Sequence, residues 1–153
     1  FYEEAMRIPM IISWPERIKP RKEENLMIGF ADLYPSLLSL MGFRKEIPET
    51  VQTFDLSREI LGCSKREVVQ PYYYVQFDNH ATGYRGLRTK AHTFVVHATN
   101  GVIDDTILFD RTKDPHQMNN IAKQHPRLVR KFCKQLKDWL TQTDDPFANY
   151  IKP

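Results

Sequence analysis

Side chains able to do chemistry group most closely at Asp78-Asn79-His80, with Tyr84 and Arg85 a few residues on. Carboxylate and amide oxygens suit a hard cation such as calcium. Imidazole does not, and no glycine follows directly to turn a calcium loop. The other acidic pair, Asp104-Asp105, stands beside a turn-forming Asn100-Gly101, so loop and turn hydrogen bonding outweighs metal binding at both places. Cys63 and Cys133 are too few and too far apart for a disulfide framework, and no C-x-x-C or H-x-x-x-H pair exists for zinc. Cys133 falls on the apolar side of a predicted helix as a buried thiol, whereas Cys63 follows Gly62 in a polar, exposed stretch. These residues predict no metal site and no catalytic group within the chain. They leave the 78–85 stretch as a recognition loop between two strands, where binding residues concentrate.

The elements that must position this loop are legible from patterning. Tyr72 to Phe77 is aromatic and β-prone, Tyr84 to Leu87 begins a second extended stretch, and Thr93 to His97 is a third. Asn100-Gly101 is a hairpin turn from which Thr106 to Phe109 returns. Together they predict a small antiparallel sheet of three or four strands. Apolar residues from Leu128 to Leu140 recur at helical spacing and predict a helix over about 126–141. Its Arg127, Arg130, Lys131, Lys134 and Lys137 fit a solvated face better than a membrane or acidic partner. Residues 144–153 read as a loosely held terminus.

Upstream, Met10 to Trp14 is a short apolar run between prolines and reads as a buried strand. A helix follows, capped by Asp32, with Pro35 in its first turn, an apolar side of Leu33, Leu37, Leu38, Leu40 and Met41, and Gly42 closing it. Strand, loop and helix in this order suit the edge of an α/β domain. The 153 residues are 41% hydrophobic and 27% charged with a net charge of +3, a globular composition. The basic residues are spread along the chain, which argues against a nucleic-acid partner. No apolar run approaches the ~20 residues of a membrane span. The opening Phe1-Tyr2-Glu3-Glu4 has neither the basic start nor the apolar stretch of a signal peptide, and the chain is expected to begin inside a longer protein.

Five segments in order carry a family resemblance. Phe1 to Ile12 resembles the sulfatase segment Y-E-E-A/S-x-R-V/I-P-L/M-I, and Asp32 to Gly42 resembles D-L/I-x-P-T-L-L-x-L-A-G. Asp55-Leu56-Ser57 with Leu61-Gly62 is similar to G-x-D/S-L-x-x-L-L-G, and Arg85 to Val95 to R-x-V-R-T-x-x-Y-K-Y-I. Leu108 to Ala122 resembles L-Y/F-D-L-x-x-D-P-x-E/Q-x-x-N-L/I-A. Thr53, Phe54 and Thr93 depart from these patterns. The ordered set resembles the C-terminal portion of arylsulfatase-type sulfatases of the alkaline phosphatase superfamily.

The resemblance implies α/β then α+β: residues 1–62 as the end of an alkaline-phosphatase-like α/β domain, and 63–153 as a small antiparallel sheet packed with a C-terminal helix. It implies part of a sulfuric ester hydrolase whose formylglycine and calcium or other divalent cation lie in an N-terminal catalytic portion, with neither bound to this chain alone. The chain lacks the C/S-x-P-x-R, D-D and S-D-H/N-G…K motifs of the family, so no catalytic residue and no activity are expected of it in isolation. Loops of such a subdomain can overhang the cleft, which makes His80, Arg85, Asn79, Asp78 and Tyr84 candidate contacts to a sulfated small molecule or glycan. Arg85 pairing structurally is the competing reading. Arg7 (paired to Glu3 or Glu4), Asp32, Asp110, Asp114, Asn119 and Asn120 are expected to be structural. The implied location is periplasmic or secreted, or lysosomal in a eukaryote. The alternatives are another hydrolase of the superfamily, acting on phosphate esters or phosphonates, and a non-catalytic binding module.

Overall fold

The structure is a computed structural model that describes residues 2–20, 26–75 and 81–152. Four strands form one antiparallel sheet in sequence order: β1 (Gln70–Val75), β2 (Gly83–Arg88), β3 (His92–Thr99) and β4 (Val102–Asp110). Side chains alternate across the pleat, and the sequence supplies an apolar set for each face. Leu87, Phe94, Val96, Ala98 and Leu108 meet Phe132, Cys133, Leu136 and Leu140 of the long helix Pro126–Gln142. The ring of Phe94 stacks on Phe132 with centroids 5.5 Å apart. Val95, Ile107 and Phe109 make a smaller cluster with Tyr84. The long helix starts on Pro126 at its first turn, where a missing N–H costs nothing.

Residues 144–152 are not a loose terminus. Asp145 caps a 3-10 turn, Pro146–Asn149, by accepting from the Phe147 N–H at 2.9 Å. Phe147 and Ile151 are then enclosed with the helix and sheet core. Burying two large apolar side chains overrides the polar look of the segment.

The β3–β4 turn requires glycine. Asn100 and Gly101 both have positive φ, 50° and 77°, the pair of left-handed residues that a tight hairpin needs. A Cβ on Gly101 would stand 2.8 Å from the Tyr150 ring. Gly101→Ala is therefore expected to lower stability by about 1–3 kcal/mol, from backbone strain plus the clash, measurable as a shifted urea midpoint with an unchanged slope. The thiols offer a second check on packing. Burial pushes the Cys133 thiol up from its ordinary pKa, while Cys63 is exposed. A disulfide reagent should modify Cys63 at once and Cys133 only as the protein unfolds.

The chain divides into two compact units, Phe1–Ile8 with Val69–Pro153, and Pro9–Val68. The division thus falls six residues later than the sequence suggests, and the first eight residues belong with the sheet. The cause is Glu3, in a one-turn helix α1 (Glu3–Met6). Its carboxylate accepts from Arg88 at 2.7 Å and from Arg111 at 2.9 Å, and its N–H donates to Gln117 Oε1 at 2.8 Å. With Glu3 so engaged, no Arg7–Glu3 pair forms, and the side chain of Glu4, the other expected partner, lies outside the described residues. The Arg7 side chain is exposed, and its backbone N–H donates to the Glu3 carbonyl.

In the second unit, residues 10–14 are not a strand. A strand needs a partner to take its N–H and C=O groups, and no such pairing forms among the described residues. Helix α2 (Leu33–Leu40) is present and closes at Gly42 with φ of 90°, but its buried side differs from the expected one. Asp32, Pro35, Ser36 and Leu40 are buried, whereas Phe30, Tyr34, Leu37 and Met41 are exposed. Nor does Asp32 cap α2 with its side chain. Its carboxylate accepts from the Gly29 N–H at 2.7 Å and, across the unit, from the Phe54 N–H at 2.9 Å. Ser36 accepts from the Leu56 N–H at 2.9 Å. The buried side is polar because it organises the irregular 53–57 segment. Asp55, there, loses stabilisation of its charge to burial. Hydrogen bonds from Ser57 and Ser39 outweigh that loss and hold its carboxyl below the usual range.

Candidate functional site

Asp78, Asn79 and His80 lie outside the described residues, between β1 and β2 in sequence. Tyr84 and Arg85 begin β2 and, as neighbours on a strand, point to opposite faces. Arg85 faces the helix. It is fully buried, with Nε 2.7 Å and Nη2 3.3 Å from the two oxygens of Asp145 and its guanidinium 4.5 Å above the Phe147 ring. The geometry is a bidentate, charge-assisted pair with a cation–π contact beneath it. From there Arg85 holds the terminal turn against the sheet, and contact with a ligand is out of its reach.

Tyr84 faces the other way and packs on His97 of β3, rings 4.3 Å apart. His97 Nδ1 lies 2.5 Å from Asp104 Oδ1, and the Thr99 hydroxyl donates to Asp104 Oδ2 at 2.6 Å. Asp104 can serve both because β3 and β4 slip register between His97 and Ala98, and a bulge re-aims one side chain. These bonds, Thr99 first, hold the Asp104 carboxyl below its ordinary range. Asp104 of the acidic pair met in the sequence thus closes a hairpin clasp, and among the described residues no three His, Cys, Asp or Glu side chains converge to hold a metal ion.

Residues 108–122 form a strap. Asp110 accepts from the Thr112 hydroxyl and N–H and from the Lys113 N–H, at 2.6, 2.9 and 3.2 Å. Asp114 accepts from the Asn119 N–H at 2.7 Å. The Thr112 hydroxyl at Asp110, and the Met118 and Asn119 N–H groups at Asp114, keep both carboxyls below the ordinary range. The turns therefore gain from ionised carboxylates above the unfolded-state pKa and lose that gain as pH falls through the folded one. Asn120 lies along the β4 edge, accepting from the Leu108 N–H and donating to the Thr106 carbonyl, both at 3.0 Å. Between them Gln117, with φ of 54°, buries its side chain to bridge the Glu3 N–H and the Thr93 hydroxyl, each at 2.8 Å.

Gln117, Asp145 and His97 carry much of this geometry, and the sequence pointed to no role for them, whereas Asp104 makes the turn hydrogen bonds expected of it. Asp145 had a signal, since Asp followed by Pro is an N-cap and first-turn pair. Gln117 had none, because its left-handed backbone and distant partners leave no local pattern.

A family model described as N-sulphoglucosamine sulphohydrolase, C-terminal, matches residues 1–145. Endo-4-O-sulfatase of Bacteroides thetaiotaomicron is 26% identical over 95% of this chain and 32% of its own length. Arylsulfatase A of Homo sapiens is 29% identical over 97% of the chain and 26% of its own length. The crystal structure of yidJ from Bacteroides fragilis, which bears a sulfatase designation, superposes with a TM-score of 0.96 at 68% identity, over 100% of this chain and 33% of that one. The chain spans about a third or less of the length of these relatives. Its fold, a small antiparallel sheet backed by a C-terminal helix, is that of the yidJ structure in the matched part. On the match across residues 1–145, the chain belongs to the sulfatase family, as its C-terminal portion.

Proposed function

We propose that this chain completes a sulfuric ester hydrolase acting on a sulfated glycan or small molecule. In this reading it supplies scaffold and a substrate-facing β1–β2 loop, and an N-terminal portion of the same protein supplies the chemistry. The observation that carries the reading is the family match across residues 1–145 in a chain spanning only a third of its relatives. A divalent cation and a formylglycine would orient and attack the sulfate there. The described residues of this chain converge on neither, so no step is assigned to them. The exposed apolar row Phe30, Tyr34, Leu37 and Met41 suits a surface covered by the rest of the polypeptide. Relatives named endo-4-O-sulfatase and N-acetylgalactosamine-6-O-sulfatase support a sulfated glycan as substrate. A periplasmic, secreted or lysosomal setting goes with that class. Among the described residues no helix is long and apolar enough to cross a membrane.

The test compares p-nitrophenyl sulfate with p-nitrophenyl phosphate, using the full-length protein and the isolated chain. Sulfate turnover by the full-length protein alone is expected. Turnover by the isolated chain, or a preference for the phosphate, would refute the reading. His80, Asn79, Asp78 and Tyr84 are the proposed substrate contacts, and Arg85 leaves that set because it is enclosed. His80→Ala in the full-length protein should raise KM for a sulfated glycan about tenfold, the loss of one or two hydrogen bonds, and leave kcat on the aryl sulfate unchanged.

A further inference from the structure

The outer face of the long helix Pro126–Gln142 carries charge that the fold does not use. Arg127, Arg130, Lys131 and Lys134 are all exposed. At 3.6 residues per turn they fall within an arc of about 100° and along roughly 10 Å of helix. Among the described residues none of the four is in an ion pair, whereas Arg44, Arg66, Arg85, Arg88 and Arg111 each have a carboxylate partner. Their placement also works against the helix. Cations belong near a C-terminus, where the backbone dipole is negative, yet these occupy the N-terminal half. The first turn holds no acid, the last turn holds no base, and the helix's one acid, Asp138, comes after all four. A stripe that costs helix stability and pairs with nothing in its own unit is arranged for something outside it.

We propose that this stripe is an exosite for a linear sulfated polysaccharide. The stripe matches a polyanion through charge and spacing. A lipid surface is disfavoured because the helix's apolar side, Phe132, Cys133, Leu136 and Leu140, is spent on the sheet, leaving nothing to insert between acyl chains. Nucleic acid is disfavoured because the one aromatic side chain among the cations, Phe132, is buried in the core and cannot stack on bases. The choice of a sulfated chain rests on the sulfatase reading above.

The experiment uses the full-length protein and its variant R127Q/R130Q/K131Q/K134Q, with chondroitin sulfate and desulfated chondroitin as probes. Each exposed charge contact contributes roughly a two- to threefold factor in affinity, so losing four predicts binding about 15- to 80-fold weaker. Wild-type binding should fall steeply with added salt, and the desulfated chain, left with only its uronate carboxylates, should bind the wild type much more weakly than chondroitin sulfate does. KM on the polymer should rise in the variant while kcat/KM on p-nitrophenyl sulfate stays the same. Its Tm should be equal or higher, because the removed charges opposed the helix dipole; this separates a binding role from a structural one. Equal affinity of wild type and variant for chondroitin sulfate overturns the proposal, as does tighter binding to phosphatidylserine vesicles or duplex DNA. Binding is read without turnover. A protein that binds the polymer through the stripe but cleaves no sulfate ester would retire the sulfatase reading and leave the exosite standing.

Discussion

Asp145→Ala should destabilise the sheet unit by about 3–5 kcal/mol, the cost of leaving a buried guanidinium without its carboxylate. Arg85 has no exposed side-chain surface, and Asp145 is only 16% exposed, so water cannot replace the lost oxygens. The same substitution removes the acceptor of the Phe147 N–H and loosens the terminal turn. Urea unfolding followed by tryptophan fluorescence measures the loss. A loss below about 1 kcal/mol would show that the pair does not carry the Arg85 charge. Replacing both partners, as R85M/D145L, should recover much of the loss, because a well-packed apolar pair leaves no buried charge behind. The contrast separates a charge requirement from a packing requirement at this position.

Glu3→Lys is expected to cost about 3–5 kcal/mol by a related route. The side chains of Glu3, Arg88 and Arg111 are 16%, 15% and 18% exposed. Reversing the charge sets a third cation among two guanidinium groups that each lose a bond. Glu3→Gln keeps the size and one acceptor oxygen, and should cost only about 1–2 kcal/mol. Hydrogen exchange locates the damage: the Glu3 and Arg111 amides should lose protection first, while the Phe94 and Leu136 amides exchange only with global unfolding. Uniform loss of protection across all four sites would mean that Glu3 belongs to the central core and not to a separable clamp.

The sheet and the long helix were legible because their signals are local. Asn100-Gly101 names its turn, and the run from Leu128 to Leu140 names its buried side. Reading failed where a partner lies far away or in another part of the protein. Residues 10–14 carry a strand's composition but find no strand partner among the described residues. Leu37 and Met41 lie on the apolar side of their helix and yet stay exposed, while polar Asp32 and Ser36 go inside to hold the 53–57 segment. Arg85 shows the same limit at the candidate site. A guanidinium beside a loop reads as a ligand contact until the strand's alternation and Asp145, sixty residues later, turn it inward. The five family segments were legible as an ordered set, and the comparisons support that reading across residues 1–145.

The Glu3 clamp also sets an order of events during synthesis. Its partners Arg88, Arg111 and Gln117 follow it by 85, 108 and 114 residues. A ribosome adding about 5–20 residues per second needs roughly 5–20 s to reach Arg111 after Glu3. Through most of that interval, while the 9–68 unit is made, α1 waits for Arg88, the first of these partners to be synthesised. The β2–β3 and β3–β4 hairpins can zip as they emerge, since each strand pairs with its immediate neighbour. Residues 3–6 are therefore among the last of the sheet unit to find their place, and a polypeptide halted before residue 111 has not yet closed the clamp around Glu3.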